Sequence, residues 1–181
     1  MIDFLESVRQ PSLRPVRPVR PLRIMGAVAI VPLTRGYEAV IDSCDIDLVG
    51  QFNWRVRVAK AHILYGVRYV WPNTTQHLHQ LIIPAPPDFM VDHINGDGLD
   101  NRRANLRIAS RAQNRANSRL PVSNTSGFKG AFIDSSTGRW KSVIKCGGQY
   151  RHLGCFATKE EAHEAYAQAL KQYYGEFARV A

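Results

Sequence analysis

The chain has 181 residues, 45% of them hydrophobic, and no apolar run near the roughly 18 residues of a membrane span, so it reads as one globular domain or two small ones. Its 24 basic and 15 acidic residues give a net charge of +9, which points to a polyanionic partner. Three cysteines without a Cys-x-x-Cys pair offer no structural zinc pattern and suit a reducing cytosol, so a cytoplasmic location is expected.

An acidic start and the repeat Arg14-Pro15-Val16, Arg17-Pro18-Val19, Arg20-Pro21-Leu22 stand where a secretory signal would lie. The repeat cannot donate a regular hydrogen-bond ladder, so residues 1–25 are expected to be a disordered, polyproline-like arm. Either the arm touches DNA phosphates or translation begins at Met25.

From residue 26 the pattern turns to strands. Segments 27–32 and 37–41 flank a Thr34-Arg35-Gly36 turn, and 45–52 suits a short helix. Trp54, Val56 and Val58 alternate with arginines, and 63–71 is a second β-like run, so the two predict a hairpin. Leu78, Leu81 and Ile82 have helical spacing, ended by the prolines of 84–87. His77 and His79 flank Leu78, so at most one of them faces a site.

The run 91–117 carries the chemistry. Asp92 beside His93 is followed by the turn Asn95-Gly96-Asp97-Gly98, a short returning strand at 105–108, and a helix started by the capping box of Ser110 and Gln113. Phosphodiester hydrolysis needs a nucleophilic water, a base for its proton, and positive charge against the developing oxyanions. His93 can be the base, since imidazole titrates near neutral pH. Asp92 offers a hard oxygen to a Mg²⁺-type ion that takes only one or two protein ligands, and Asn114, on the first helical turn, is the candidate second ligand. Asp92 and His93 can share a site only if the strand ends in a loop there, because neighbours on a strand alternate in direction. Asp97 and Asp100 read as turn formers.

Pro121 and a Ser/Thr/Asn cluster mark 119–126 as a linker. Beyond it, strands are expected at 127–133, 139–145 and 149–156, with Gly147-Gly148 as a tight hairpin turn. That turn places Lys145 opposite Tyr150 and Val143 opposite His152 on one face, with Ile144 on the other. Thr158 and Glu161 cap an amphipathic helix that Gly175 closes. Three antiparallel strands against one helix follow.

The 91–117 run resembles the HNH endonucleases of the ββα-metal type, in the phage homing-nuclease style. The resemblance implies that His93 is the general base and Asp92 the metal-binding carboxylate. It also makes Asn105 the middle asparagine that ties the loop together and Asn114 the third letter. Leu99-Asp100-Asn101-Arg102-Arg103 and Leu78-His79-Gln80-Leu81 are similar to the same subfamily, making His79 either an accessory site residue or a buried structural histidine. The C-terminal module resembles the Apetala-two/ethylene-response-factor DNA-binding domain through Gly127-Phe128-Lys129-Gly130, Gly138-Arg139-Trp140 and Leu153-Gly154-Cys155-Phe156. That likeness implies contacts to duplex DNA from Lys129, Arg139, Trp140, Lys145, Tyr150 and His152.

The expectation is therefore an α+β chain. A disordered arm spans 1–25, and a ββα-metal nuclease module on a small β-rich scaffold spans 26–118. After the 119–126 linker, a three-stranded antiparallel sheet packed on one helix fills 127–181 as a DNA-binding domain. The function expected is a homing-type DNA endonuclease using one Mg²⁺ or Mn²⁺ ion per site. One site per chain implies nicking unless two chains assemble on a near-symmetric target, and no obligatory protein partner is inferred. The competing expectation is a non-catalytic DNA-binding regulator that retains the nuclease fold.

Overall fold

The computed structural model describes residues 17–59 and 63–180. Strands β1 (Arg23–Met25), β2 (Val28–Pro32) and β3 (Glu38–Asp42) form an antiparallel sheet in that order. Alternation along β2 and β3 turns Ala29, Val31, Ala39 and Ile41 to one buried face, where Ala29 sits opposite Ile41 and Val31 opposite Ala39. This corrects the extent of the arm, because order reaches upstream of residue 26. Arg23 to Met25 pair with β2, Leu22 packs on the core, and the Arg20 amide donates to Asn53 Oδ1 at 3.1 Å. Residues 1–16, with the first unit of the repeat, Arg14-Pro15-Val16, lie outside the described residues.

A 3-10 turn leads into α1 (Ile46–Val49). Strands β4 (Arg55–Val58), β5 (Leu64–Val70) and β6 (Thr74–His77) make a second antiparallel sheet, followed by α2 (Leu78–Ile82). The third strand, Thr-Thr-Gln-His, has no apolar alternation to announce it and is held by its ladder to β5. Trp54, Ile41, Val49 and Leu78 centre the first core, and the Trp54 indole N–H donates to Val49 O at 3.0 Å, so its one polar atom is satisfied.

Strand β7 (Phe89–His93) pairs antiparallel with β8 (Leu106–Ser110), and α3 (Arg111–Ala116) follows directly. Ser110 Oγ accepts from the Gln113 amide while Gln113 Oε1 accepts from the Ser110 amide, which starts α3 at that point. The two faces of this hairpin serve different cores. Val91 and Leu106 join the scaffold core, whereas Ala109 and Ala116 lie in a second one.

The C-terminal sheet contains β9 (Ala131–Ile133), β10 (Trp140–Cys146) and β11 (Gln149–Phe156), in the order β11-β10-β9, against α4 (Lys159–Tyr174). Lys145 pairs with Tyr150 and Val143 with His152, and a bulge beside Val143 inserts Leu153. β9 starts later than the residue 127 predicted. Gly130 has φ 79, and a Cβ there would lie 2.0 Å from the Tyr166 ring, so the chain bends round α4 before the strand begins.

The predicted division at 119–126 is also altered. Ile144, Ala169, Leu170 and Phe177 from the C-terminal module share their core with Ala109 and Ala116 of the preceding hairpin and helix. The 119–126 segment crosses between two units that are packed together.

Candidate active site

The loop between β7 and β8 is held from both sides. The Val40 amide donates to Leu99 O at 2.8 Å and the Asn101 amide to Val40 O at 2.7 Å, stitching the loop to β3. Arg103 forks onto the buried Asp45 carboxylate at 2.6 and 3.0 Å. Inside the loop, Asn105 Nδ2 donates to Asn95 Oδ1 at 3.0 Å and to Asp100 O at 2.7 Å, and Asn105 Oδ1 accepts the Asn95 amide at 3.0 Å. Asn105 thus spends its whole amide on closing the loop. Asp97 Oδ1 accepts the Leu99 amide at 2.9 Å, and Asp100 pairs with Arg102 at 2.7 Å, so both carboxylates shape the turn. The Arg102 hydrogen bond is the main reason that the Asp100 carboxyl is held below its ordinary value.

Asp92 and His93 close β7, and strand alternation sends their side chains to different neighbours. Asp92, 5% exposed, lies directly across from Arg107, whose Nε donates to Oδ2 at 3.0 Å. Asn117 Nδ2 reaches both Asp92 oxygens, at 3.0 and 2.9 Å, and also His93 O at 2.9 Å. Every group facing that nitrogen is an acceptor, which fixes the orientation of the amide. Sequence reasoning placed Asn114 against Asp92, but among the described residues no hydrogen bond joins them. Asn114 is half-buried on the same side of α3, one turn before Asn117, and the C-cap position brings Asn117 alongside the carboxylate instead.

His93, 6% exposed, meets the scaffold. Its ring is 4.9 Å from that of His79 and 6.0 Å from that of Tyr65, and His79 in turn stacks on His77 at 5.1 Å. Nε2 lies 3.3 Å from Oδ1 of the fully buried Asn101, whose Nδ2 donates to Leu99 O at 3.0 Å. That second bond orients the amide so that Oδ1 can only accept. His93 Nε2 therefore carries the proton and Nδ1 the lone pair. Burial lowers the His93 pKa, opposed in part by the Asn101 hydrogen bond and by the carboxylates of Asp92, Asp97 and Asp100. Burial, with the neighbouring His93 and His77, takes His79 down to about 3. Both rings are thus held as neutral imidazoles at neutral pH.

Three residues here escaped sequence reasoning. Arg107 could have been found from hairpin register, because the turn places it opposite Asp92. Asn101 lay within the Leu99 to Arg103 block without an assigned role. Asn117 stands at the end of the run, and only the length of α3 distinguishes it from Asn114.

On the C-terminal sheet, Arg139, Lys145, Tyr150 and His152 are exposed and Trp140 is half-buried. The Tyr150 ring, 71% exposed, lies 5.2 Å from the Lys145 ammonium, and Arg139 Nη2 donates to Cys155 O at 3.1 Å. Lys129 differs from the expectation of a free DNA contact. Its Nζ donates to Ala116 O at 2.8 Å, Ser118 O at 2.8 Å and Arg179 O at 2.9 Å. All three ammonium donors are used in clamping the end of α3 to the C-terminal segment, and burial, with Arg179 nearby, draws its pKa down to about 8.

Among the described residues no group of three or more His, Cys, Asp or Glu side chains could hold a metal ion. The donors at the site are one buried carboxylate and the amides of α3. That set fits a hard cation which keeps most of its water and borrows few protein oxygens, and it does not fit a closed tetrahedral site.

A family model described as HNH endonuclease matches residues 84–116, which contain β7, the loop, β8 and α3. The chain is 34% identical over 133 residues to a protein of Acanthamoeba polyphaga mimivirus described as an uncharacterized HNH endonuclease, a match covering 72% of this chain and 67% of that one. It is also 30% identical over 96 residues to Protein 3.8 of Escherichia phage T7, covering 53% of this chain and 78% of that protein. No solved structure matches. Among the described residues no helix is long and apolar enough to cross a membrane.

Proposed function

This chain belongs to the HNH endonuclease family, and on that premise we propose that it is a divalent-metal-dependent DNA endonuclease of homing type, working with one ion per site. The observation that supports the reading is the buried His93 imidazole, whose Nε2 faces Asn101 Oδ1 at 3.3 Å and which stands next in sequence to the buried Asp92.

In this mechanism His93 Nδ1 takes a proton from a water molecule as that water's oxygen forms its bond to phosphorus and the bond from phosphorus to the 3′ oxygen breaks. Asn101 keeps the ring in the tautomer that can do so. Asp92 would hold the cation, Mg²⁺ or Mn²⁺, with the amide oxygen of Asn114, half-buried on the same side of α3 as Asn117, as second ligand. When bound, the ion supplies positive charge to the phosphate oxygens and the leaving oxygen. Arg107 and Asn117 fix the direction of the Asp92 carboxylate, and Asn105 preserves the loop. His79 packs against the His93 ring as a neutral neighbour.

The C-terminal sheet is proposed as the duplex-binding unit, in the manner of an Apetala-two/ethylene-response-factor domain. Arg139, Trp140, Lys145, Tyr150 and His152 lie along its strands and hairpin, whereas Lys129 works internally. Relaxation of supercoiled plasmid in Mg²⁺ or Mn²⁺ tests the whole reading. The parent should nick the circle and His93→Ala should not; equal activity in both would overturn the catalytic assignment.

A further inference from the structure

Two guanidiniums converge on the same point of the site loop. The turn residue Gly96 has φ 72, and a Cβ built on it would lie 2.9 Å from Arg179 Nη1 and 3.3 Å from Arg119 Nε. Arg179 comes from the C-terminal segment and is held at both ends. Its amide donates to Ala116 O at 3.3 Å, and its Nη2 donates to Ile94 O at 2.8 Å. Lys129 grips the Arg179 carbonyl from the other side at 2.9 Å. Arg179 of the C-terminal module and Arg119 of the stretch after α3 therefore converge just beyond His93, with Lys129 holding the Arg179 backbone.

The charges here are not balanced. Among the described residues Arg179 and Arg119 form no ion pair with any carboxylate, and the nearby Asp92 is already paired with Arg107. Holding two like charges together is unfavourable without an anion between them. Burial first, and then Arg119, lower the Arg179 pKa, with Asp92 opposing them and Arg107 adding to them. A phosphodiester offers what balances the two charges: one negative charge spread over two oxygens, each matching the donor fork of a guanidinium.

We propose that Arg179 and Arg119 form a clamp over Gly96 for a DNA backbone phosphate beside the one attacked, so that the C-terminal segment completes the nucleic-acid site on the nuclease loop. This rests on the nuclease reading for the identity of the polyanion. Gly96 is required because any side chain there would fill the space in which the guanidiniums meet.

The test separates binding from cutting. In the His93→Ala background, binding of a fluorescently labelled DNA duplex is measured by anisotropy over a range of salt concentrations for Arg179→Ala, Arg119→Ala and Arg179→Lys. Each alanine variant should bind on the order of 10-fold more weakly at moderate salt and lower the slope of log K against log salt by about 1. Arg179→Lys should restore the slope and only part of the affinity. Unchanged affinity and slope in both alanine variants would overturn the clamp, as would faster plasmid cutting by Arg179→Ala with His93 intact, since that marks the segment as a cover. A fall in thermal stability that Arg179→Lys repairs without recovering the salt slope would also overturn it. If the parent fails to cut DNA while the arginine variants still lose duplex binding, the nuclease reading falls and the clamp stands. If the parent cuts and both alanine variants bind and cut like it, the clamp alone falls.

Discussion

Arg107 lies directly across the hairpin from Asp92, with Nε 3.0 Å from the carboxylate, its guanidinium carbon 3.9 Å from the centre of the Phe177 ring, and Nη1 donating to Glu176 O at 2.9 Å. One arginine thereby joins the proposed metal ligand to the C-terminal segment. The pair is almost dry, with side-chain exposures of 11% and 6%, so removing one partner leaves an uncompensated buried charge. Arg107→Met should lower stability by about 3 kcal/mol in metal-free buffer. It should also make Mg²⁺ more stabilising than in the parent, because the competing cation is gone. Thermal melts with and without Mg²⁺ measure both effects, and an unchanged response to Mg²⁺ would count against Asp92 as ligand.

Asn101 presents an obligate acceptor to His93 Nε2. In Asn101→Asp a carboxylate would face the same nitrogen and favour the imidazolium, so the acid limb of the cleavage rate should move to higher pH. In the parent that limb should lie below the ordinary histidine value, because burial lowers the His93 pKa. The pH profile of plasmid nicking compares the two. A limb that stays in place would remove Asn101 from its positioning role.

Asn117 and Asn114 can be separated by two measurements. Asn117→Ala removes the donor shared by Asp92 and His93 O, which should cost about 2 kcal/mol of stability. Asn114→Ala should leave the melting temperature near that of the parent and reduce Mg²⁺ affinity in calorimetry. Full Mg²⁺ affinity in Asn114→Ala would shift the ligand role to its neighbour.

The His79 ring gives stability a dependence on pH. Its folded pKa of about 3 lies below the unfolded value of 6.5, so the folded state binds fewer protons between those two pH values, and stability falls as pH drops through that window. Above 6.5 both states are neutral and the effect vanishes. At pH 5 the loss should be about 2 kcal/mol. Urea melts at pH 7 and pH 5 should show a smaller difference for His79→Phe than for the parent.

Deleting residues 122–181 tests the shared core. The deletion would uncover Ala109 and Ala116 and take Phe177 from the Arg107 face, so the remainder should melt at markedly lower temperature or aggregate. A truncated chain with the parent's cooperativity and stability in its nuclease half would show two independent units.

Much of the molecule is legible in its residues because local rules decide it. Capping boxes at Ser110 and Thr158 set where α3 and α4 begin, and the Gly147-Gly148 turn sets the pairing of Lys145 with Tyr150. The alternation in β2 and β3 marks their buried face. The loop chemistry is similarly local: the Asp92-His93 pair, the turn that follows, and an asparagine twelve residues on from His93 are readable by type and spacing.

What the residues alone left undecided depends on approach between segments far apart in the chain. Asn117, and not Asn114, donates to Asp92 because it stands at the C-cap of the six-residue α3, a position set by where that helix stops. Lys129 is spent on carbonyls of α3 and of residue 179 because two units that look separable share apolar surface. Arg20 and Leu22 are ordered because the scaffold offers Asn53 and a core edge to them. Spacing fixes which groups can exist on one face of one element; the burial of Ala109 and Ala116 against Ile144 and Leu170 fixes which faces meet, and with it the surroundings of Asp92.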